Sequence, residues 1–217
     1  MKQIPLLFLG LIGALLAFTA CSDDSDNPAP SGPVEVQTAT DIPADANAPS
    51  GDPSQAPPPE YTFYSLEEGK VIDKADSNST QWDIALAGTT ILVNGGTSGP
   101  GQGQAQIVNG IFDELDEAPE SGYQTDQSPE LAIPAGSGNG WYNYTGNGNP
   151  PQAILPIPGR IIVLQTAQGN YAKMEILSYY EGNPDTSTEE FINFQTRPTG
   201  RHYTFRYAVQ PDGSRNF

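Results

Sequence analysis

The chain has little from which to build chemistry. Among its 217 residues there are one cysteine, one histidine and two methionines. With Cys21 alone, an intrachain disulfide and a thiolate metal site are both excluded. The folded part must therefore be held by packing, and a domain of this size buries on the order of 70% of its unfolded surface without staples. Basic residues are scarce as well, with nine Lys and Arg against 26 Asp and Glu and a net charge of −17. Affinity for phosphate comes from basic groups, so the charge argues against a nucleic-acid partner. The acidity bears on solubility rather than on fold. A Ser/His/Asp triad would have to use His202, which shares a strand face with Thr204 and Arg206 and reads as a surface residue. The glycine-rich stretch from Gly95 to Gly103 lacks the Lys and Ser/Thr that a P-loop places after its glycines. Asp113, Glu114, Asp116 and Glu117 form a charge run without calcium-loop spacing or the geometry of a catalytic pair. Nothing in the sequence argues for an enzyme.

The N-terminus is a processing signal. Lys2 supplies a minimal positive region, Ile4 to Phe18 is an almost unbroken apolar run, and Thr19 and Ala20 are small residues before Cys21. That run falls short of the roughly 20 residues a membrane span needs. Phe18-Thr19-Ala20-Cys21 resembles a bacterial lipobox, with Phe where Leu is commoner. The resemblance implies cleavage after residue 20, lipidation of the Cys21 sulfur and acylation of its freed amine. Each buried methylene contributes about 0.8 kcal/mol, so several acyl chains anchor where one would not. Ser22-Asp23-Asp24 resembles the acidic signal that sends lipoproteins of Bacteroidetes to the outer leaflet of the outer membrane. The expected location is thus the cell exterior, at the membrane through the lipid anchor.

Residues 21–59 read as a disordered tether. Ser22 to Pro59 contains nine prolines, seven acids and no aromatic, Lys or Arg residue. Such a composition cannot bury enough apolar surface to offset its ordering entropy. At that length it would reach roughly 35 Å as a flexible coil and about 120 Å as extended polyproline II.

From residue 60 to 217 the pattern is one of strands between Gly, Pro and Asn turns. Trp82, Ile84 and Leu86 alternate with Asp83 and Ala85, and the β-branched run Thr89 to Val93 is placed to pair with them. Arg160 to Thr166 is apolar on both faces, as a central strand would be. Gln168-Gly169-Asn170 then leads into Tyr171 to Tyr180, which predicts a hairpin. His202 to Val209 predicts a closing strand with Tyr203, Phe205, Tyr207 and Val209 on one face. The predicted fold is all-β, two packed antiparallel sheets. Gly95 to Gly103 reads as a flexible loop. Gly136 to Pro151 reads as a non-strand segment whose Trp141, Tyr142 and Tyr144 are candidates for ligand contact. The other role for Trp141 and Tyr144 is to plug the edge of the core.

The succession of segments resembles the HmuY family of haem-binding lipoproteins, haemophores of Bacteroidetes. The stretches that carry the resemblance begin with Phe63-Tyr64-Ser65-Leu66-Glu67-Glu68-Gly69-Lys70-Val71 and Trp82-Asp83-Ile84-Ala85-Leu86 leading to Asn94. Phe112-Asp113 with Ala118-Pro119, Trp141-Tyr142-Asn143-Tyr144, the run Ile161 to Tyr180 and Tyr203-Thr204-Phe205-Arg206-Tyr207 follow in order. The resemblance implies a hand-like all-β domain that binds haem and passes it to a TonB-dependent outer-membrane receptor. It also implies two axial ligands, His or Met, on loops of the second half. Here the sequence departs from the pattern. The loop after the Trp motif holds Thr145-Gly146-Asn147, and Ser137-Gly138-Asn139 stands before it. In the mature chain only His202 and Met174 could supply His or Met, and Met174 alternates with Ala172 and Ile176 as core filler does. Tyrosine also holds ferric haem, which makes Tyr142 and Tyr144 the candidates. Alternatives on the same scaffold are a non-haem module for a glycan, peptide or receptor protein, and a structural surface protein with no small ligand.

Overall fold

The computed structural model describes residues 34–46 and 57–217, all within one compact unit, Ser31–Phe217. That unit carries its own hydrophobic core and has the anatomy of an independently folding domain. Cys21 and the signal segment lie outside the described residues, as does most of the expected tether. Among the described residues, no helix is long and apolar enough to cross a membrane.

The tether expectation fails over its middle third. Val36–Pro43 is a strand, β1, paired antiparallel with the last strand of the chain. Only Ala39 and Ala44 of this stretch are buried. The segment is therefore held by backbone hydrogen bonds to an open sheet edge, and its poverty in apolar residues does not prevent that.

The remaining strands are β2 (Thr62–Ser65), β3 (Lys70–Ile72), β4 (Ile84–Ala87), β5 (Thr90–Val93), β6 (Gln104–Asn109), β7 (Tyr142–Tyr144), β8 (Ile154–Pro156), β9 (Arg160–Gln165), β10 (Tyr171–Tyr180) and β11 (Gly200–Gln210). A four-residue helix, α1 (Glu189–Ile192), sits between β10 and β11 and is capped by the Thr188 side chain. They form a five-stranded sheet in the order β1-β11-β10-β9-β6, a four-stranded sheet β3-β2-β4-β5, and a two-stranded β7-β8. All pairings are antiparallel. The all-β expectation holds. So do the β4–β5 and β9–β10 hairpins, β4 turning through Gly88 at φ +54° and β9 lying inside the sheet as its two apolar faces require.

The two larger sheets face each other across one core. Tyr64, Ile84, Leu86, Ile91 and Val93 meet Ile162, Leu164, Met174, Tyr203, Phe205 and Tyr207 there. The opposite face of the larger sheet is covered too. Phe112, Ala118, Ile161, Val163 and Ala208 form a second cluster under the 3-10 turn Phe112–Glu114. The Lys173 Nζ donates to the carbonyls of Phe112 and Leu115 at 2.9 Å each, and Arg206 lies over the same Phe112 ring. Burial lowers the Lys173 pKa from its ordinary value. The nearby acidic run is tied down as well: Asp113 pairs with Arg206 and Glu117 with Arg215.

Gly95 to Gly103 is a packed turn rather than a loose loop. Its chain wraps the buried Asn94, whose amide donates to the carbonyls of Ser79 and Trp82 and accepts from the Gly101 N–H. A Cβ on Gly99 would fall 2.1 Å from Asn94 Oδ1, and one on Gly95 would fall 2.0 Å from the Gly103 carbonyl oxygen. The glycines are there because the chain must approach backbone at Gly95 and the Asn94 side chain at Gly99.

Candidate functional site

The aromatic segment expected to be a loop contains β7, which pairs with β8 so that Tyr142 opposes Pro156 and Tyr144 opposes Ile154. Side chains fix both flanks of this hairpin. Arg160 donates to the carbonyls of Asn139 and Gly140, the Ser137 hydroxyl accepts from the Tyr144 N–H at 2.7 Å, and Thr145 spans the connecting loop by bonding Pro150 and Ala153. The Ile154 N–H donates to the Tyr180 hydroxyl at 3.0 Å, which joins the hairpin to β10.

The predicted aromatics separate into two roles. Trp141 is buried, with its ring centroid 4.9 Å from Tyr142, 5.1 Å from Tyr203 and 6.0 Å from Tyr179, and its indole N–H on the Thr89 carbonyl. It plugs the core. Tyr142 is buried too, and its hydroxyl accepts from Thr89 Oγ1 at 3.3 Å. Tyr144 is different: it is 50% exposed. Met174 is fully buried in the core cluster, and the His202 Nδ1 lies 3.0 Å from the Gly200 carbonyl on the partly buried start of β11. Of these five residues Tyr144 alone is exposed, and Trp141, Tyr142 and Met174 are buried.

Beside the hairpin lies a groove of about 440 Å³ that sequence reading did not find. Ile154, Tyr179, Tyr180, Phe194, Arg197 and Arg201 line it. Facing residues of an antiparallel pair share a side of the sheet. Tyr144 therefore lies on the same side of its hairpin as Ile154, which lines the groove. Phe194 is 57% exposed at the groove. Burial pushes the Tyr179 hydroxyl up to about 12, partly offset by Arg201. A signal did exist in the sequence: adjacent Tyr179 and Tyr180 end an alternating strand, and two of the few basic residues follow close behind.

The family whose model matches is described as HmuY protein, with residues 58–195 matched. The chain belongs to the HmuY family. No curated protein matches it. Among solved structures it is similar to the apo HmuY analog of Tannerella forsythia, at 15% identity over 82% of this chain and 96% of that one, with a TM-score of 0.48. It is also similar to apo PinO of Porphyromonas gingivitis, at 13% identity over 83% and 99% of the two chains and a TM-score of 0.48. A proposed HmuY-like heme binding protein of Bacteroides vulgatus gives 16% identity, 79% and 90% coverage and a TM-score of 0.46.

Proposed function

We propose that the protein is an outer-membrane lipoprotein, exposed at the cell surface, that binds haem or a related tetrapyrrole and passes it to a TonB-dependent receptor. Membership of the HmuY family over residues 58–195 is the observation that carries this reading. The residues present do not fit the family's two-ligand pattern, because Met174 is enclosed by the core and His202 is the chain's only histidine. They fit a single oxygen ligand. Tyr144 offers a half-exposed phenol on a hairpin whose backbone is fixed by Ser137, Thr145 and Arg160. Bound iron would supply the ligand's affinity for that oxygen, and the hairpin would hold the oxygen in place.

The test is a ferric-haem titration of residues 31–217, followed in the Soret region. A shifted band that Tyr144→Phe abolishes and Tyr142→Phe leaves in place is expected. No shift at all would overturn the haem reading. It would favour the second reading, a glycan, peptide or receptor-protein module, which the missing His and Met partners support. The anchor has its own test: a fatty-acid probe should label the full chain and fail to label Cys21→Ser. Label retained by the variant would refute lipidation at that residue.

A further inference from the structure

The groove beside β10 carries strain and charge that iron ligation by Tyr144 does not use. Among the described residues, five non-glycine positions have positive φ. Three of them meet here: Gln152 at 49° and Arg201 at 63° line the groove, and Asp45 at 59° is the ion-pair partner of Arg201. Left-handed backbone persists outside glycine only where surroundings over-determine it, and it gathers at ligand clamps.

The two arginines differ in how far they are engaged. Arg197 is sandwiched between the rings of Phe191 and Phe194 at 4.8 and 4.7 Å and donates to the carbonyls of Pro151, Gln152, Phe191 and Ile192. It is a fixed part of the wall. Arg201 donates to the Asp45 carbonyl at 2.9 Å and lies near the Tyr179 hydroxyl, and its side chain is 38% exposed. A guanidinium has five N–H donors, so among the described residues most of this fork is uncommitted. The Asp45 carboxylate approaches it only to 3.6 Å, short of the two-bond grip that the pair could form.

We infer that this groove receives a flat aromatic carboxylate, its plane against the exposed Phe194 ring and its carboxylate on Arg201, with Asp45 standing in for that carboxylate in the free chain. The inference deepens the tetrapyrrole reading and rests on it for the ligand class, since tetrapyrroles of the haem type are flat and carry propionates. It does not depend on iron. It also ties ligand capture to the segment 34–46, because ligand and Asp45 compete for the same guanidinium.

Metal-free protoporphyrin IX and its dimethyl ester, in which both carboxylates are capped, separate these ideas. Both are titrated into residues 31–217 and followed by porphyrin fluorescence. The acid should bind about tenfold more tightly than the ester, the scale of a charge-assisted contact. Arg201→Gln should erase that preference, whereas Asp45→Asn, which removes the competing charge, should tighten the acid alone. Equal binding of acid and ester, weaker acid binding in Asp45→Asn, or no binding of either porphyrin would overturn the inference. A Tyr144-dependent haem shift beside any of those results would leave the haem reading standing. The reverse outcome, an Arg201-dependent acid preference without that shift, would remove the iron ligand and keep the groove.

Discussion

Replacing Asp83 by Ala should cost about 4 kcal/mol near pH 4.5, because two buried backbone N–H groups would each lose their acceptor at about 1–3 kcal/mol. Asp83 is almost wholly buried at the start of β4, and its carboxylate accepts from Leu66 N–H at 2.7 Å and from Ala167 N–H at 2.9 Å. One side chain thus pins the turn after β2 and the turn after β9 to the same point between the sheets. The loss should shrink as pH rises. Burial pushes the Asp83 carboxyl up to about 6 against an ordinary value of 3.8, despite those N–H donors and with Glu67 nearby adding to the rise. Between these values the native chain holds a proton that the unfolded chain has released. Stability from this group is therefore greatest below about pH 4 and declines through pH 6 as the buried carboxylate ionises. The penalty of Asp83→Ala should be about 2 kcal/mol smaller at pH 7 than at pH 4.5. Urea denaturation of wild type and variant at both pH values measures it, and a penalty that is constant or grows with pH would refute the account.

Trp141→Ala should cost about 4 kcal/mol, the usual range for emptying a buried indole site. The expected damage is not confined to stability. Trp141 precedes Tyr142 at the base of the β7–β8 hairpin, touches Tyr179 and Tyr203 of the larger sheet, and bonds the Thr89 carbonyl in the β4–β5 turn. Removing it takes away one contact that both larger sheets share with the hairpin that presents Tyr144. Trp141→Phe keeps much of the ring packing and loses the N–H bond, so it should fall between wild type and Ala. Chemical denaturation gives the energies, and near-ultraviolet circular dichroism reports the aromatic cluster. An Ala penalty under about 1 kcal/mol would mean that the site tolerates a hole, against what close packing predicts.

What could be read in the sequence was whatever local pattern decides alone. The alternation around Trp82 to Leu86, the two-faced apolarity of Arg160 to Thr166 and the Gly169 turn each predict their strand, and the strands found are Ile84–Ala87, Arg160–Gln165 and Tyr171–Tyr180. β1 was not legible, since an edge strand that buries little beyond Ala39 leaves no hydrophobic trace and exists because β11 offers it backbone partners. The packed glycine turn was misread for a related reason. Glycines that permit flexibility and glycines that permit close approach are the same letters, and only Asn94 at its centre distinguishes them. In the candidate site, Trp141 as a core plug agrees with one of its two expected roles, and Tyr142 proved to be buried beside it. The groove needed the fold, because Ile154, Tyr179 and Arg201 come from three strands that only the finished sheets bring together.

Holding the last strand by a segment from near the start also governs how molecules meet. Without β1, the side of β11 away from β10 would present a row of unpaired backbone groups, an adhesive rim open to a second copy of the chain. β1 closes that rim, and as the new border it is a poor template: its register shifts between Ala39 and Ile42, Asp41 turns left-handed, and Pro43 offers no N–H. An early segment of the chain thereby caps the edge through which copies of this domain would otherwise join strand to strand.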